Sequence, residues 1–225
     1  MKSTLALALR CYARYAVPLT LLSVLLFVPL IHHALTSETP ASVGPATWTV
    51  RFAWIIGGTA WIAQFMLAGA AAPLARAMDG DRPSQIRALV MAVRGLIRAF
   101  VPVVLVTAAV VMGAIALVIP GVVLGVLLAL TGTSTRGGLS EPMLDSATRV
   151  RREPKVMAIG IAAILVLDLA VVAIPFFVLL GPLPTKPTPD QLATSHQLVQ
   201  IAAIGVAIVS PLPACLLAAL ARRSD

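Results

Sequence analysis

Apolar residues along this chain gather into long runs, and polar residues into short segments between them. The runs cover 16–35, 52–75, 101–135, 156–181 and 198–220, and Asp168 is the one residue in them that is acidic, Lys or Arg. About 20 consecutive apolar residues in helical form cross a hydrocarbon core of ~30 Å. Four of the runs therefore read as single transmembrane helices. The run 101–135 would make a helix of ~52 Å, too long for one crossing. Pro120-Gly121 interrupts it and is a strong turn signal, while Arg98 and Arg136 make both flanks basic. A tight hairpin is expected, with a span over 101–119 and a shorter return over 121–135. A re-entrant return is the alternative.

Two polar segments carry a different pattern. In 84–98, Ile86, Leu89, Val90, Val93, Leu96, Ile97 and Phe100 recur at helical spacing, with Arg87, Arg94 and Arg98 on another flank. This predicts an amphipathic helix along the cytoplasmic surface, its arginines among lipid headgroups. In 140–152, Ser140 is a candidate N-cap, with Glu141 and Pro142 in the first turn. Leu139, Met143, Ala147 and Val150 share one face, and Asp145 can meet Arg149 at i,i+4. Arg151, Arg152 and Lys155 then lead into the fifth span. A basic segment precedes an apolar hairpin three times, from Met1, Ser84 and Leu139, without residue-level identity among the copies.

Composition agrees with the pattern. Hydrophobic residues make up 59%, charged residues 12%, and mean hydropathy is +0.97. A soluble domain of this size could not bury that much apolar surface. The fold class expected is all-α: one polytopic membrane domain over 1–225, with about six spans in hairpins and two cytoplasmic amphipathic helices. The net charge of +8 lies beside apolar spans, where it fixes orientation, so nucleic acid is not an expected partner. Of the seventeen Lys and Arg residues, only Arg51, at the far edge of loop 36–50, and Lys186, in loop 182–190, fall on the second side. The positive-inside rule then places both termini in the cytoplasm. The first run is read as a retained span, because the segment after it, His32 to Ser37, offers no small-x-small cleavage site. Cys11 and Cys215 fall near cytoplasmic ends, so no structural disulfide is expected, and neither has metal-ligand neighbours.

Asp168 is the sharpest candidate residue. A carboxylate halfway along a span must be protonated, paired or facing a wet cavity. It reads either as a proton, cation or polar-substrate site, or as a neutral group bonded to Gln64, Thr59, Thr107 or Ser210 of another helix. Gln64 lies equally deep in the second span and reads chiefly as an interhelical hydrogen-bonder. His32 and His33 point to different faces, which disfavours joint metal binding. Pro18, Pro29, Pro175, Pro211 and Pro213 interrupt spans, and the last two predict a distortion in the sixth. Gly121 and Gly125, and Gly57-Gly58 with the small residues 68–72, offer surfaces for close helix packing. No hydrolase elbow, zinc-protease motif, P-loop or dinucleotide fingerprint occurs, and no cofactor or metal is implied.

Several short motifs carry a family resemblance. They are Asp79-Gly80-Asp81, Leu117-Val118-Ile119-Pro120-Gly121, Leu139-Ser140-Glu141-Pro142 and Asp145-Ser146. Over roughly 48–180 the chain resembles the membrane domain fused to some bacterial glycerophosphodiester phosphodiesterases, and related stand-alone inner-membrane proteins. In the fused members a separate soluble domain holds the chemistry. The resemblance thus implies an architecture and a bacterial cytoplasmic membrane, and carries over no catalytic residue. The function expected is non-enzymatic: organising membrane lipid, anionic lipid included, or a membrane-protein partner through Arg87, Arg94, Arg98, Arg149, Arg151 and Arg152. The alternative is a small transporter or permease with a polar site at Asp168 and Gln64.

Overall fold

The computed structural model describes residues 2–36, 45–80, 82–116, 118–135, 140–180 and 188–223. Among them the chain is helical throughout, with no strand. The helices are α1 (Lys2–Thr36), α2 (Pro45–Ala77), α3 (Gln85–Ala116), α4 (Val118–Leu127), α5 (Glu141–Arg152), α6 (Pro154–Leu180), α7 (Pro189–Val209) and α8 (Pro211–Arg223), with a 3₁₀ turn at Thr131–Thr133. Five stretches are long and apolar enough to cross a membrane: Ser3–Thr36, Gly58–Ala77, Gln85–Gly113, Pro154–Val171 and His196–Arg223. The expected outer loops lie largely outside the described residues, at 37–44 and 181–187, as do Asp81, Leu117, Arg136 and Leu139.

The helix boundaries differ from the sequence pattern in instructive ways. The segment 84–98 is not a separate surface helix, because it continues unbroken into the span as the first half of α3. Pro102 deletes only the helical bond to the Arg98 carbonyl, a loss that membrane helices tolerate. A buried stripe of Ala88, Ala92, Ala99, Val103 and Val106 passes through the proline and holds both halves to one core. The turn expected at Pro120-Gly121 lies inside α4, because α3 already ends at Ala116. Pro120 sits in the first turn of α4, where its missing N–H has no partner to lose. The return is a ten-residue helix, only ~15 Å long, followed by the buried 3₁₀ turn. The sixth run begins nine residues early, at Pro189, and breaks at Ser210 ahead of Pro211 and Pro213.

Two prolines free carbonyls that other helices then satisfy. Pro18 leaves the Arg14 carbonyl without its helical donor, and α1 bends at Tyr15 (φ −115°, ψ 25°). The Gln85 amide of α3 donates to that carbonyl at 2.9 Å. Pro211 frees the Ala207 carbonyl in the same way, and the Ser23 hydroxyl of α1 donates to it at 2.5 Å. Each bond ties a kink to a neighbouring helix.

Packing is built on small residues. Over 18-residue apolar stretches, 72% of residues are buried in α2, within Gly58–Ala77, against 22% in α3, within Gln85–Gly113, so α2 is central and α3 peripheral. On α3 it is the alanine stripe that is buried, while Ile86, Val90, Ile97 and Phe100 are exposed. Leu89, Val93 and Leu96, from the same set of large apolar residues, are half-buried against the core. Without water to exclude, helices associate through close backbone approach, and bulky side chains are left to lipid. Three glycines set the tightest approach. A Cβ on Gly95 would collide with the Gly69 carbonyl oxygen, and one on Gly132 with the Phe65 carbonyl oxygen. A Cβ on Gly69 would meet Ala99 and the Gly132 carbonyl. Backbone of α2, α3 and the 3₁₀ turn therefore touches directly. On the opposite side of α2, the buried thiols of Cys11 and Cys215 meet between α1 and α8 as free cysteines.

Candidate functional site

One end of the bundle gathers the basic residues. There α2 ends with Arg76, α3 begins, α5 lies across the 3₁₀ turn, and α8 ends with Arg222 and Arg223. Three carboxylates at this end each hold one arginine. Asp79 pairs with Arg222, whose Nη1 also donates to the Ala75 carbonyl at 2.9 Å. Glu153 pairs with Arg223 at 2.8 Å. Asp145 pairs with Arg149 at 3.0 Å, the i,i+4 contact expected from the sequence.

The arginines named as lipid-facing thus divide. Arg149 is 13% exposed at its side chain and donates to the Ala221 carbonyl at 3.3 Å, so it locks α5 to α8. Arg151 and Arg152 are exposed on α5, and Arg87, Arg94 and Arg98 on α3. Among the described residues no carboxylate pairs with Arg87, Arg94, Arg98 or Arg151.

Arg94 and Arg98 line a cavity of about 220 Å³ between α2, α3 and residues 132–135. Arg76 is the third arginine in its wall, with Ser134 and Thr135 opposite. Its side chain is tethered at both ends of the guanidinium, Nε to the Ala72 carbonyl at 3.2 Å and Nη2 to the Thr133 carbonyl at 3.4 Å. Gly69, Gly95 and Gly132 form the floor, so the backbone contact that packs the helices also shapes the cavity. No acidic residue lines it. Three positive groups and hydroxyls at a helix-bounded recess can hold an anion through charge-assisted hydrogen bonds.

Sequence reading missed Arg76, which marks only the end of a span there, and missed the Thr-Gly-Thr-Ser-Thr run 131–135. That run is a polar, turn-forming interruption at the end of an apolar stretch, and was the available signal. It also missed the bonds that Ser146 and Asp145 make to residues 127–134. The Ser146 hydroxyl accepts from the Leu130 N–H at 3.0 Å and donates to the Leu127 carbonyl at 2.8 Å. Ser134 donates to Asp145 Oδ2 at 2.8 Å. These bonds satisfy the C-terminal end of α4, whose last carbonyls have no helical donors. Ser140, expected as an N-cap, makes no side-chain cap bond.

The second candidate site is assembled from two spans. Gln64 of α2, 2% exposed, donates from Nε2 to Asp168 Oδ1 of α6 at 2.6 Å. Asp168 itself is half-buried, and among the described residues it has no ion-pair partner. Thr107 is turned to its own helix, bonded to the Val103 carbonyl at 2.9 Å. Ser210 is buried with no protein partner for its hydroxyl. Of the four partners considered for Asp168, Gln64 is the one that reaches it. His32 and His33 are both exposed. Among the described residues no group of three or more His, Cys, Asp or Glu is placed to hold a metal ion.

No protein-family model matches this chain, and no curated protein or solved structure matches it either.

Proposed function

We propose that this is a non-enzymatic protein of a bacterial cytoplasmic membrane that organises anionic lipid, or a partner protein, at the cytoplasmic leaflet. The observation that carries the reading is the set of arginines at one end of the bundle, Arg87, Arg94, Arg98 and Arg151, that pair with no carboxylate among the described residues. Juxtamembrane basic residues are attracted to anionic headgroups by ~1 kcal/mol each. The same charge would hold this end, and with it both termini, in the cytoplasm. The likeness of 48–180 to a membrane domain that has no chemistry of its own points the same way. Extraction in lipid-bilayer nanoparticles, followed by mass spectrometry, tests it. Anionic lipid enriched over bulk, or a stoichiometric protein partner, is expected, and should be lost when Arg87, Arg94 and Arg98 become Glu. Bulk lipid alone from the unaltered chain would sink the proposal.

The Gln64–Asp168 bond favours a second reading, a small transporter with a polar site between α2 and α6. A carboxyl paired only with a neutral amide can exchange a proton or meet a polar substrate. Asp168→Asn in reconstituted vesicles separates the two, since it would stop proton-coupled transport and leave lipid enrichment unchanged.

A further inference from the structure

The cavity walled by Arg76, Arg94 and Arg98 has the features of a discrete binding site within the basic end. We infer that it takes one phosphate group of a phosphate-bearing anion, from a lipid headgroup or a soluble source. This rests on the basic-end reading above and narrows it from a diffuse surface to one site.

Charge comes first. Arg94 and Arg98 lie one helical turn apart on α3, and like charges at that spacing repel. No carboxylate among the described residues relieves them, and an anion between them would. Arg76 faces them from α2 and is fixed by its two carbonyl contacts. Asp145, bonded to Ser134 of the cavity wall, is paired with Arg149. Guanidinium groups match phosphate oxygens in pairs, so three of them suit a single phosphate.

Size and depth agree. A cavity of about 220 Å³ far exceeds the ~10–15 Å³ that admits one water. It has room for a phosphate and its substituent. From Arg98 to the end of α3 at Ala116 the helix rises ~27 Å, and Arg76 lies at the end of a 20-residue apolar stretch. Arg98 therefore sits about one hydrocarbon thickness from the far end of α3, and Arg76 about as far from the start of its apolar stretch, both at headgroup level. The stripe of Arg94 and Arg98 continues at helical spacing through exposed Val101 and Leu105. A phosphate at the arginines would thus place an acyl chain along that stripe, which favours a lipid as the source.

The test is native mass spectrometry of the full chain in detergent, titrated separately with dioleoyl phosphatidylglycerol, dioleoyl phosphatidylcholine and inorganic phosphate. Phosphatidylglycerol should be retained in preference to phosphatidylcholine. At about fivefold per arginine, Arg94→Gln with Arg98→Gln should weaken its binding about 25-fold. Arg82→Gln, at an exposed position just ahead of α3 and outside the cavity, should weaken it less than about twofold. Inorganic phosphate that binds and displaces the lipid would support the site with a soluble source. Failure to displace it, with the arginine dependence intact, would support the site with a lipid source. If Arg82→Gln costs as much as the double variant, the discrete site is overturned while the basic-end reading stands. If the unaltered chain shows no preference for phosphatidylglycerol, both fall.

Discussion

Residues 85–98 and 141–152 begin from one sequence pattern, arginines on a helix that leads into an apolar run, and reach different electrostatic states. In α5 the inner face is polar: Asp145 holds Arg149, and Ser146 closes the end of α4. In the first half of α3 the inner face is alanine, and its arginines meet no carboxylate among the described residues. In α5, Arg149 is committed to the fold while Arg151 and Arg152 stay exposed; in α3 all three arginines stay exposed. The difference lies in a single acid. Asp145 has no counterpart between Gln85 and Arg98, so counting arginines overstates the binding surface until each is checked for a carboxylate in reach.

The largest effect should come from the packing that only α3 depends on. Gly95→Ala puts a Cβ into the Gly69 carbonyl, a backbone atom that cannot swing aside. Overpacking of this kind costs about 3 kcal/mol at its upper range. A lower Tm in detergent, together with loss of phosphatidylglycerol retention, is expected. Thr148→Ala on the exposed face of α5 should change stability by less than about 0.5 kcal/mol. Equal Tm values for the two variants would show that α2 and α3 are not in direct backbone contact.

Next is the acid itself. Asp145→Asn removes the partner of Arg149, and both side chains are largely buried. The cost should lie between those of exposed and fully buried pairs, about 2 kcal/mol. The freed Arg149 should then make α5 behave more like α3, with a modest gain in anionic-lipid retention. Adding Arg149→Met should restore part of the stability and cancel the gain. Chemical or thermal unfolding of the three variants, as a double-mutant cycle, reads this directly. Ser146→Ala should follow at about 1–2 kcal/mol, because the Leu130 N–H and the Leu127 carbonyl both lose a buried partner.

The helical class was legible because apolar runs of membrane-crossing length leave the backbone few options. The Asp145–Arg149 pair was legible because it is local, and the break ahead of Pro211 because proline acts on its own helix. Three things were not. The continuity of α3 through Pro102 depends on a buried alanine stripe whose partners lie on other helices. The buried alanine face of α3 carried no signal of its own, because in a membrane small residues pack helices while large apolar ones are left to lipid. The cavity was hidden for a third reason. Arg76, Arg98 and Ser134 come from three separate segments, and backbone contact at Gly69, Gly95 and Gly132 brings them together.

The smallest effect, and the one that extends the comparison to the membrane interior, concerns Asp168. Its Oδ1 accepts from Gln64 Nε2 at 2.6 Å, and an asparagine offers the same acceptor in the same place. Asp168→Asn should therefore move stability by less than about 0.5 kcal/mol. Asp168→Leu differs in kind, since it leaves the buried Gln64 amide without an acceptor and should cost about 1–3 kcal/mol. If asparagine is as harmful as leucine, the charge of Asp168 matters and the bond to Gln64 alone does not account for it. That outcome, read by thermal unfolding beside proton flux in vesicles, would favour the transporter reading. If asparagine is silent in both, Asp168 stands to α2 and α6 as Asp145 stands to α5: an acid placed to join helices, with the arginines of α3 left as the groups that face outward.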